Sequence, residues 1–337
     1  MYFLESACPS SQNAYCMGQC HVRIQVTVEM IERAEAEQSG EIFLERGAPN
    51  RLAVVVYTSG STGNPKGVLL SQANLAAMAA NFGDIGFRSD DEYCCFASLM
   101  FIASVCDIVV GLALGMTLHL IPNEIRKDIH AIAGYYRENS ITVTFLPPHM
   151  ACKYMDCDEE SPLRMLLVGS EPVHNLRKKP YRIEGIYASS EGCGIISHWN
   201  IEDEQPTYPI GRVVHGLKHY IVDENGQRVA PGQRGELWIS GPQVCYGYLD
   251  LPEKNKKCFA PNPFSSQHGY DGFSKPVIWC WRVDRREHCC TVDGRIIWSK
   301  YADTAWNWAA LSRSCWGIRA SRRHAVPPLW IKVAHGF

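Results

Sequence analysis

A short apolar strand and the ten residues that follow it constrain this chain more than any other stretch. Leu52 to Val56, with three valines in a row, read as a buried strand, and the run Tyr57 to Lys66, YTSGSTGNPK, begins at once. Thr58, Ser59, Gly60, Ser61, Thr62 and Gly63 offer hydroxyl and backbone N–H donors with little side-chain bulk, the groups that phosphate oxygens require. Lys66 adds a mobile positive charge. A Walker A loop would need glycine before the lysine and a hydroxyl residue after it; counted from Gly60, those positions hold Pro65 and Gly67, and that reading fails on spacing. The plain alternative is a surface turn of small polar residues. Ten ordered positions weigh against it.

The bulk composition narrows the classes. At 337 residues and 46% apolar content the chain can bury the core of one large or two ordinary domains. A net charge of −2 speaks against nucleic acid and membrane surfaces as partners. Fifteen cysteines without a leader of charged then apolar residues read as reduced thiols of a cytoplasmic protein. Cys16 and Cys20 are spaced CxxxC, but no second pair of ligands follows nearby, so zinc is not expected. The run Phe101 to Ile121 carries Asp107 and His119 and breaks at Gly111 and Gly115, which reads as a buried helix and a strand rather than a membrane span.

Taken in order, residues 1–27 show no periodicity, and Val28 to Glu37 is a short helical stretch. Gln72 to Asn81 is helical by its alanines and the spacing of Leu75, Met78 and Ala79; its N-terminal dipole is expected to aid anion binding by the preceding loop. Thr117 to Pro122, Ile141 to Leu146 and Leu163 to Val168 read as strands, with an amphipathic helix over Ile125 to Asn139. The alternation predicts an α/β fold with a largely parallel sheet covered on both faces. GELWISG, from Gly235, alternates as a half-buried strand.

These motifs in this order resemble the adenylate-forming, AMP-binding enzyme superfamily, and most closely the adenylation domains of nonribosomal peptide synthetases. The phosphate loop, Phe96 to Val110 (FASLMFIASVCDIVV), Gly169-Ser170-Glu171, Ile186 to Glu191 (IYASSE), Ile210-Gly211-Arg212 and Gly235 to Tyr248 (GELWISGPQVCYGY) carry the resemblance, over roughly residues 50–271. It implies a partial N-terminal domain of that fold: helix-covered, largely parallel sheets and a smaller β subdomain, with the small C-terminal domain missing. Residues 1–49 stay unassigned, and the chain reads as truncated at its N-terminus, because members carry more sheet and helix before the loop. By position, the aromatic beside adenine falls to Tyr187, the hydroxyl at the α-phosphate to Ser190, and the Mg²⁺ carboxylate to Glu191, an ordinarily exposed residue at a strand end. Lys66, Ser190 and Glu191 become the candidate catalytic residues. Thr58, Ser59, Gly60, Ser61, Thr62, Gly63, Gly169, Ser170 and Glu171 join them in holding ATP. Phe101 and Ile102 fall in the substrate motif, where members that activate α-amino acids place an Asp at the position of Ile102; an ammonium would find no partner there. The implied activity is ATP-dependent activation of a carboxylic or amino acid as acyl-adenylate. Transfer to the phosphopantetheine thiol of a carrier protein follows.

After Asp271 the family's TGD motif is expected, but the chain continues GFSKPVIWCWRVDRREHCC. Residues 272–337 hold eleven Lys/Arg against four Asp/Glu and seven of the nine tryptophans, a shift that marks a change of reading frame rather than a domain. Tryptophan has one codon, so reading one base out of register forces Glu, Leu and Gly across Trp306 to Ala309, and Val and Leu across Trp279 to Trp281. With free bases chosen compatibly, the alternate frame gives RFLQTGDLVLA after Asp271 and, from Gly294, TDNMVKIRGHRVELGGIE, the missing motifs in register. The chain as written is thus expected to be catalytically deficient. Its rivals are a non-catalytic truncated remnant and a fragment of a free-standing acyl-CoA ligase.

Overall fold

The computed structural model describes residues 10–27, 29–30, 33, 48–58, 65–171, 173–206, 208–230, 233 and 235–264, and the backbone of three strands within 279–300. Residues 59–64 of the phosphate loop, and most of the helix read over Val28 to Glu37, lie outside the described residues.

Helix α1 (Ser10–Gln19) forms where the sequence shows no periodicity. Its buried Cys16 packs on Val55 and Tyr57, and the Tyr57 hydroxyl donates to Gln19 Oε1 at 2.9 Å. These tyrosine and valine side chains belong to strand β1 (Leu52–Thr58), which pairs antiparallel with β2 (Lys66–Ser71) so that Thr58 stands opposite Lys66. The two strands hold both ends of the loop between them. A Cβ at Gly67 would stand 2.9 Å from Val55 Cγ1, so the close approach of the strands requires glycine there.

Helix α2 (Gln72–Ile85) runs past the Asn81 end read from sequence and stops at Gly86, whose φ of 108° is left-handed. Ser71 and Asn74 cap its start reciprocally. This corrects the expected dipole contribution. The six residues of β2, roughly 20 Å of strand, separate the phosphate loop from the helix start, whose N–H groups already donate to the Arg51 and Pro49 carbonyls and to the Ser71 hydroxyl.

The main sheet contains β3 (Glu92–Cys95), β4 (Thr117–Leu120), β5 (Val143–Leu146), β6 (Met165–Gly169), β7 (Arg182–Ser189), β8 (Gly194–Asn200) and β9 (Arg212–Val213), in the order β4-β3-β5-β6-β7-β8-β9. Pairing is parallel from β4 to β7 and antiparallel from β7 to β9. Helices α3 (Ile102–Leu114), α4 (Ile129–Glu138) and α5 (Pro148–Met155) complete this layered unit. Strand β6, MLLVG, is buried throughout because both its faces are covered. Met165 and Leu167 join the core made with α2 and α3, whereas Leu166 and Val168 join Ile132, Tyr136 and Tyr154 of α4 and α5. Burying one such side chain stabilises by about 1.5–3 kcal/mol. The chain leaves β3 for β4 on one side and returns to β5 on the other, which opens a crevice beyond the carboxyl ends of β3 and β5.

A second sheet, ordered β10-β11-β13-β12, is built from β10 (Lys218–Val222), β11 (Glu236–Ser240), β12 (Phe259–Pro261) and β13 (Trp279–Arg282); α6 (Pro252–Cys258) precedes β12. Strand β11 was read as half-buried, yet Leu237, Trp238, Ile239 and Ser240 are all buried. It lies between β10 and β13, and Phe264 covers Trp238 with ring centroids 6.2 Å apart. Strand β13 and the hairpin of β14 (Glu287–Val292) and β15 (Arg295–Lys300) fall in the segment that lacks sequence periodicity. Among the described residues no helix is long and apolar enough to cross a membrane.

Gly169 sets the spacing at the end of β6: a Cβ there would stand 2.5 Å from the Ile186 carbonyl oxygen, whereas Gly134 in α4 has open space. Gly169→Ala is expected to lower the unfolding free energy by about 1–3 kcal/mol, and Gly134→Ala to raise it by about 0.5–1 kcal/mol. Urea titration of both variants checks this, and equal stability of the two would contradict the packing described.

Candidate active site

Two strands deliver the charged centre. Lys66 opens β2, and the tight turn between β7 and β8 carries Ser190 and Glu191. Although 125 positions apart in sequence, the Lys66 ammonium donates to Glu191 Oε1 at 2.7 Å. Tyr248 completes the group: its hydroxyl donates to the same Glu191 oxygen at 2.9 Å, and Lys66 lies 3.2 Å from that hydroxyl and 4.5 Å from the ring centre. Burial, and then the Glu191 charge, push the Tyr248 hydroxyl well above its ordinary pKa, so it stays protonated and donates. Glu191 was read as an exposed strand-end residue. It is buried, and Ser190 beside it is buried too.

The turn that carries Glu191 is held from behind. Gln243, fully buried, donates to the carbonyl oxygens of Gly192 at 2.7 Å and Ile195 at 2.8 Å, and accepts from Asn81 Nδ2 at 2.6 Å. Asn74 Nδ2 donates to the Pro242 and Val244 carbonyls, and the Cys245 N–H donates to the Glu191 carbonyl at 2.9 Å. Sequence reasoning assigned no role to Tyr248, Gln243 or Asn81. The phrase GPQVCYGY contained two of them, but nothing in its spacing said which side chains turn inward.

Two cavities adjoin the end of β7. A small one of about 130 Å³ is lined by Ser170, Glu171, Tyr187 and Tyr208, and brings together three of the residues assigned to the nucleotide. Ser170 has a φ of 72°, left-handed for a non-glycine residue. A larger cavity of about 380 Å³ lies over the crevice at the ends of β3 and β5 and is lined by Phe96, Phe101, Ile102, Pro147 and Asp107 among others. Ser170, Ile186 and Ala188 line both. Thr58 faces Lys66 across the hairpin, and its buried Oγ1 has no hydrogen-bond partner among the described residues. Ser59, Gly60, Ser61, Thr62 and Gly63 lie outside them.

The donor set fits Mg²⁺ that arrives with phosphates. Among the described residues no group of three or more His, Cys, Asp or Glu could hold a metal by itself. Glu191 offers one buried carboxylate already facing a cation, the Lys66 ammonium, and an ATP-bound Mg²⁺ takes one or two carboxylates with phosphate and water.

The AMP-binding enzyme family matches residues 6–249. The chain belongs to that family. The match reaches into the segment 1–49 that sequence alone left unassigned. Tyrocidine synthase 2 of Brevibacillus parabrevis is 36% identical over 224 residues, covering 64% of this chain and 6% of that protein. Surfactin synthase subunit 2 of Bacillus subtilis is 32% identical over 214 residues, covering 63% of this chain and 6% of that protein. The chain therefore spans a small part of the length of these relatives. Among solved structures, the N-terminal subdomain of Klebsiella oxytoca NpsA in complex with 3-hydroxyanthranilyl-AMSN has a TM-score of 0.74 at 20% identity, covering 87% of this chain and 78% of that one, and shares the fold.

One buried carboxyl was given no role by the sequence. Asp107, on α3, accepts from the Tyr93 hydroxyl at 2.6 Å, and burial raises its pKa to about 7 against the hydrogen bonds from Tyr93 and the Ala97 backbone. A carboxyl raised in the folded state holds its proton there longer than in the unfolded chain. Its contribution to stability is therefore whole below about pH 4 and declines until about pH 7, with a slope of at most roughly 1.4 kcal/mol per pH unit. Asp107→Asn is expected to remove that decline, measured as unfolding free energy at pH 5 and pH 7.5. Equal pH dependence in the variant and the parent would contradict it.

Proposed function

We propose that the chain is the nucleotide-and-acid-binding part of an adenylate-forming ligase of the peptide-synthetase adenylation type. The observation that carries this reading is the convergence of Lys66, Glu191 and Tyr248 at the turn after β7, whose last residues line both cavities. In the proposed reaction a carboxylate oxygen forms a bond to the α-phosphorus of ATP. The bond from that phosphorus to the pyrophosphate oxygen breaks, leaving acyl-adenylate and pyrophosphate. The thiol of a phosphopantetheinylated carrier protein then attacks the acyl carbon and AMP departs. The kinship with peptide synthetases supports the carrier as partner, as does the likeness to NpsA-ThdA, an artificially fused adenylation-PCP di-domain.

Catalysis of this kind is chiefly positioning and charge neutralisation. Lys66, with Thr58, Ser59, Ser61 and Thr62, is assigned to the β- and γ-phosphates, and Tyr187, Gly169, Ser170 and Glu171 to the nucleoside side. Ser190 is assigned to the α-phosphate and Glu191 to Mg²⁺, which when bound would neutralise phosphate charge. Tyr248 keeps Glu191 oriented by donating to it. The larger cavity is assigned to the acid, with Phe101 and Ile102 in its wall. An apolar Ile102 where amino-acid-activating members carry Asp favours an acid without an α-amine, because a buried ammonium would stay unpaired. Complexes of NpsA with 3-hydroxybenzoyl-AMSN and 3-hydroxyanthranilyl-AMSN, ligands of that neighbour, are consistent with such a class.

Residues 272–337 are proposed to be read out of frame, and the chain as written to be deficient in the reaction. The recovered motifs in one alternate frame support this. Inserting one base after codon 271 is expected to turn undetectable pyrophosphate exchange into measurable exchange. Robust exchange by the unrepaired 337-residue chain would refute it.

In the frame-restored chain, Lys66→Ala and Glu191→Ala are each expected to lower ATP–pyrophosphate exchange by about 100-fold or more, as loss of one positioned electrostatic group does. Retention of parental exchange by both variants would remove the site assignment.

A further inference from the structure

Tyr248 gathers more positive charge than the Lys66–Glu191 pair accounts for. The Lys66 ammonium stands 4.5 Å from its ring centre and the Lys254 ammonium 5.5 Å from the same centre, so the two are at most about 10 Å apart, roughly the screening length of dilute salt. Lys66 has Glu191 as its carboxylate partner. Lys254 has none among the described residues, since Glu253 beside it pairs with Lys256 at 2.9 Å. An aromatic face stabilises one cation, but a second cation on the same ring is repelled by the first. Two ammonium groups and one carboxylate leave an excess of positive charge, which attracts an anion.

The place of Lys254 is fixed by the fold. It lies on α6, whose Asn255 side chain accepts from the Tyr248 N–H and donates to the Tyr248 carbonyl, each at 2.8 Å. That anchor ties the helix to the ring. Lys254 is half-buried, whereas Lys256 and Lys257 on the same short helix are exposed. The Cys258 thiol, one turn further on, feels both cations: burial raises its pKa, and Lys66 and then Lys254 pull it back. The two ammonium groups thus act on one place beside Tyr248.

We infer that Lys254 is a further phosphate-binding residue, which takes with Lys66 the pyrophosphate part of ATP. The inference rests on the reading of Lys66 as a ligand of the β- and γ-phosphates. As the carboxylate oxygen bonds to the α-phosphorus, the bond from that phosphorus to the bridging oxygen breaks and its electron pair stays on the oxygen. Negative charge then gathers on the departing pyrophosphate, and a cation already held there favours departure. The adenylate that remains lacks the phosphates that Lys254 meets.

The test is calorimetric titration of the whole 337-residue chain with Mg·ATP, magnesium pyrophosphate and AMP. Lys254→Ala is expected to weaken Mg·ATP and pyrophosphate by about 10-fold, as loss of a charge-assisted contact does, and to leave AMP unchanged. Lys256→Ala removes an equal charge from the same helix and is expected to bind all three as the parent does. Equal weakening by Lys254→Ala and Lys256→Ala would overturn the role of Lys254, and so would parental binding by Lys254→Ala while Lys66→Ala loses the phosphates; both results leave the phosphate site in place. Parental binding by Lys66→Ala and Lys254→Ala alike, or failure of the chain to bind Mg·ATP, would overturn both readings.

Discussion

A fully buried amide cannot be left unpaired, and in this chain that constraint falls on Gln243. Its side chain reaches the carbonyls of Gly192 and Ile195 on one side and Asn81 of α2 on the other. An unmet buried donor or acceptor costs about 1–3 kcal/mol, so the helix, the loop at 241–245 and the turn at 190–195 hold one another in a single arrangement. Asn74 repeats the device one helical stretch earlier by bonding the Pro242 and Val244 carbonyls. The turn that carries Ser190 and Glu191 is placed by neutral hydrogen bonds, not by the charges it presents.

The position of Glu191 makes sense in that frame. A buried carboxylate needs a cation or strong donors, and Lys66 and Tyr248 supply both at 2.7 and 2.9 Å. Each is anchored independently. Lys66 is fixed by the β1–β2 pairing, and Tyr248 by Asn255, whose side chain bonds both its N–H and its carbonyl. The Lys66–Glu191 contact is therefore the meeting of two separately supported elements, which on the proposed function an anion with its own divalent cation would divide. Phosphate would take the ammonium and the metal would take the carboxylate, with no need for the backbone to move.

Much of this was legible in the sequence, for physical reasons that can be named. Strands β5 and β6 announced themselves because both faces are covered: β6 is a continuous apolar run closing on Gly169, and β5 is apolar but for Thr144 and is stopped by Pro147. Through the family resemblance, YTSGSTGNPK and IYASSE pointed to Lys66 and Glu191, which the fold brings into contact. Contacts between distant segments were not legible. Tyr248 is an ordinary tyrosine until the fold brings it to Glu191, β11 looks half-buried until β10, β13 and Phe264 surround it, and the dipole of α2 looks useful until β2 intervenes. Asp107 read as a mark against a membrane span, and the hydrogen bond it accepts from Tyr93 became visible only in the fold.

The Lys66–Glu191 pair is the proposed place of nucleotide entry, and a structure of the chain bound to Mg·ATP measures that directly. The 2.7 Å contact is expected to open, with Lys66 on a phosphate oxygen, Glu191 on the metal, and the adenine beside Tyr187. Nucleotide bound elsewhere while Lys66 and Glu191 remain paired would contradict it.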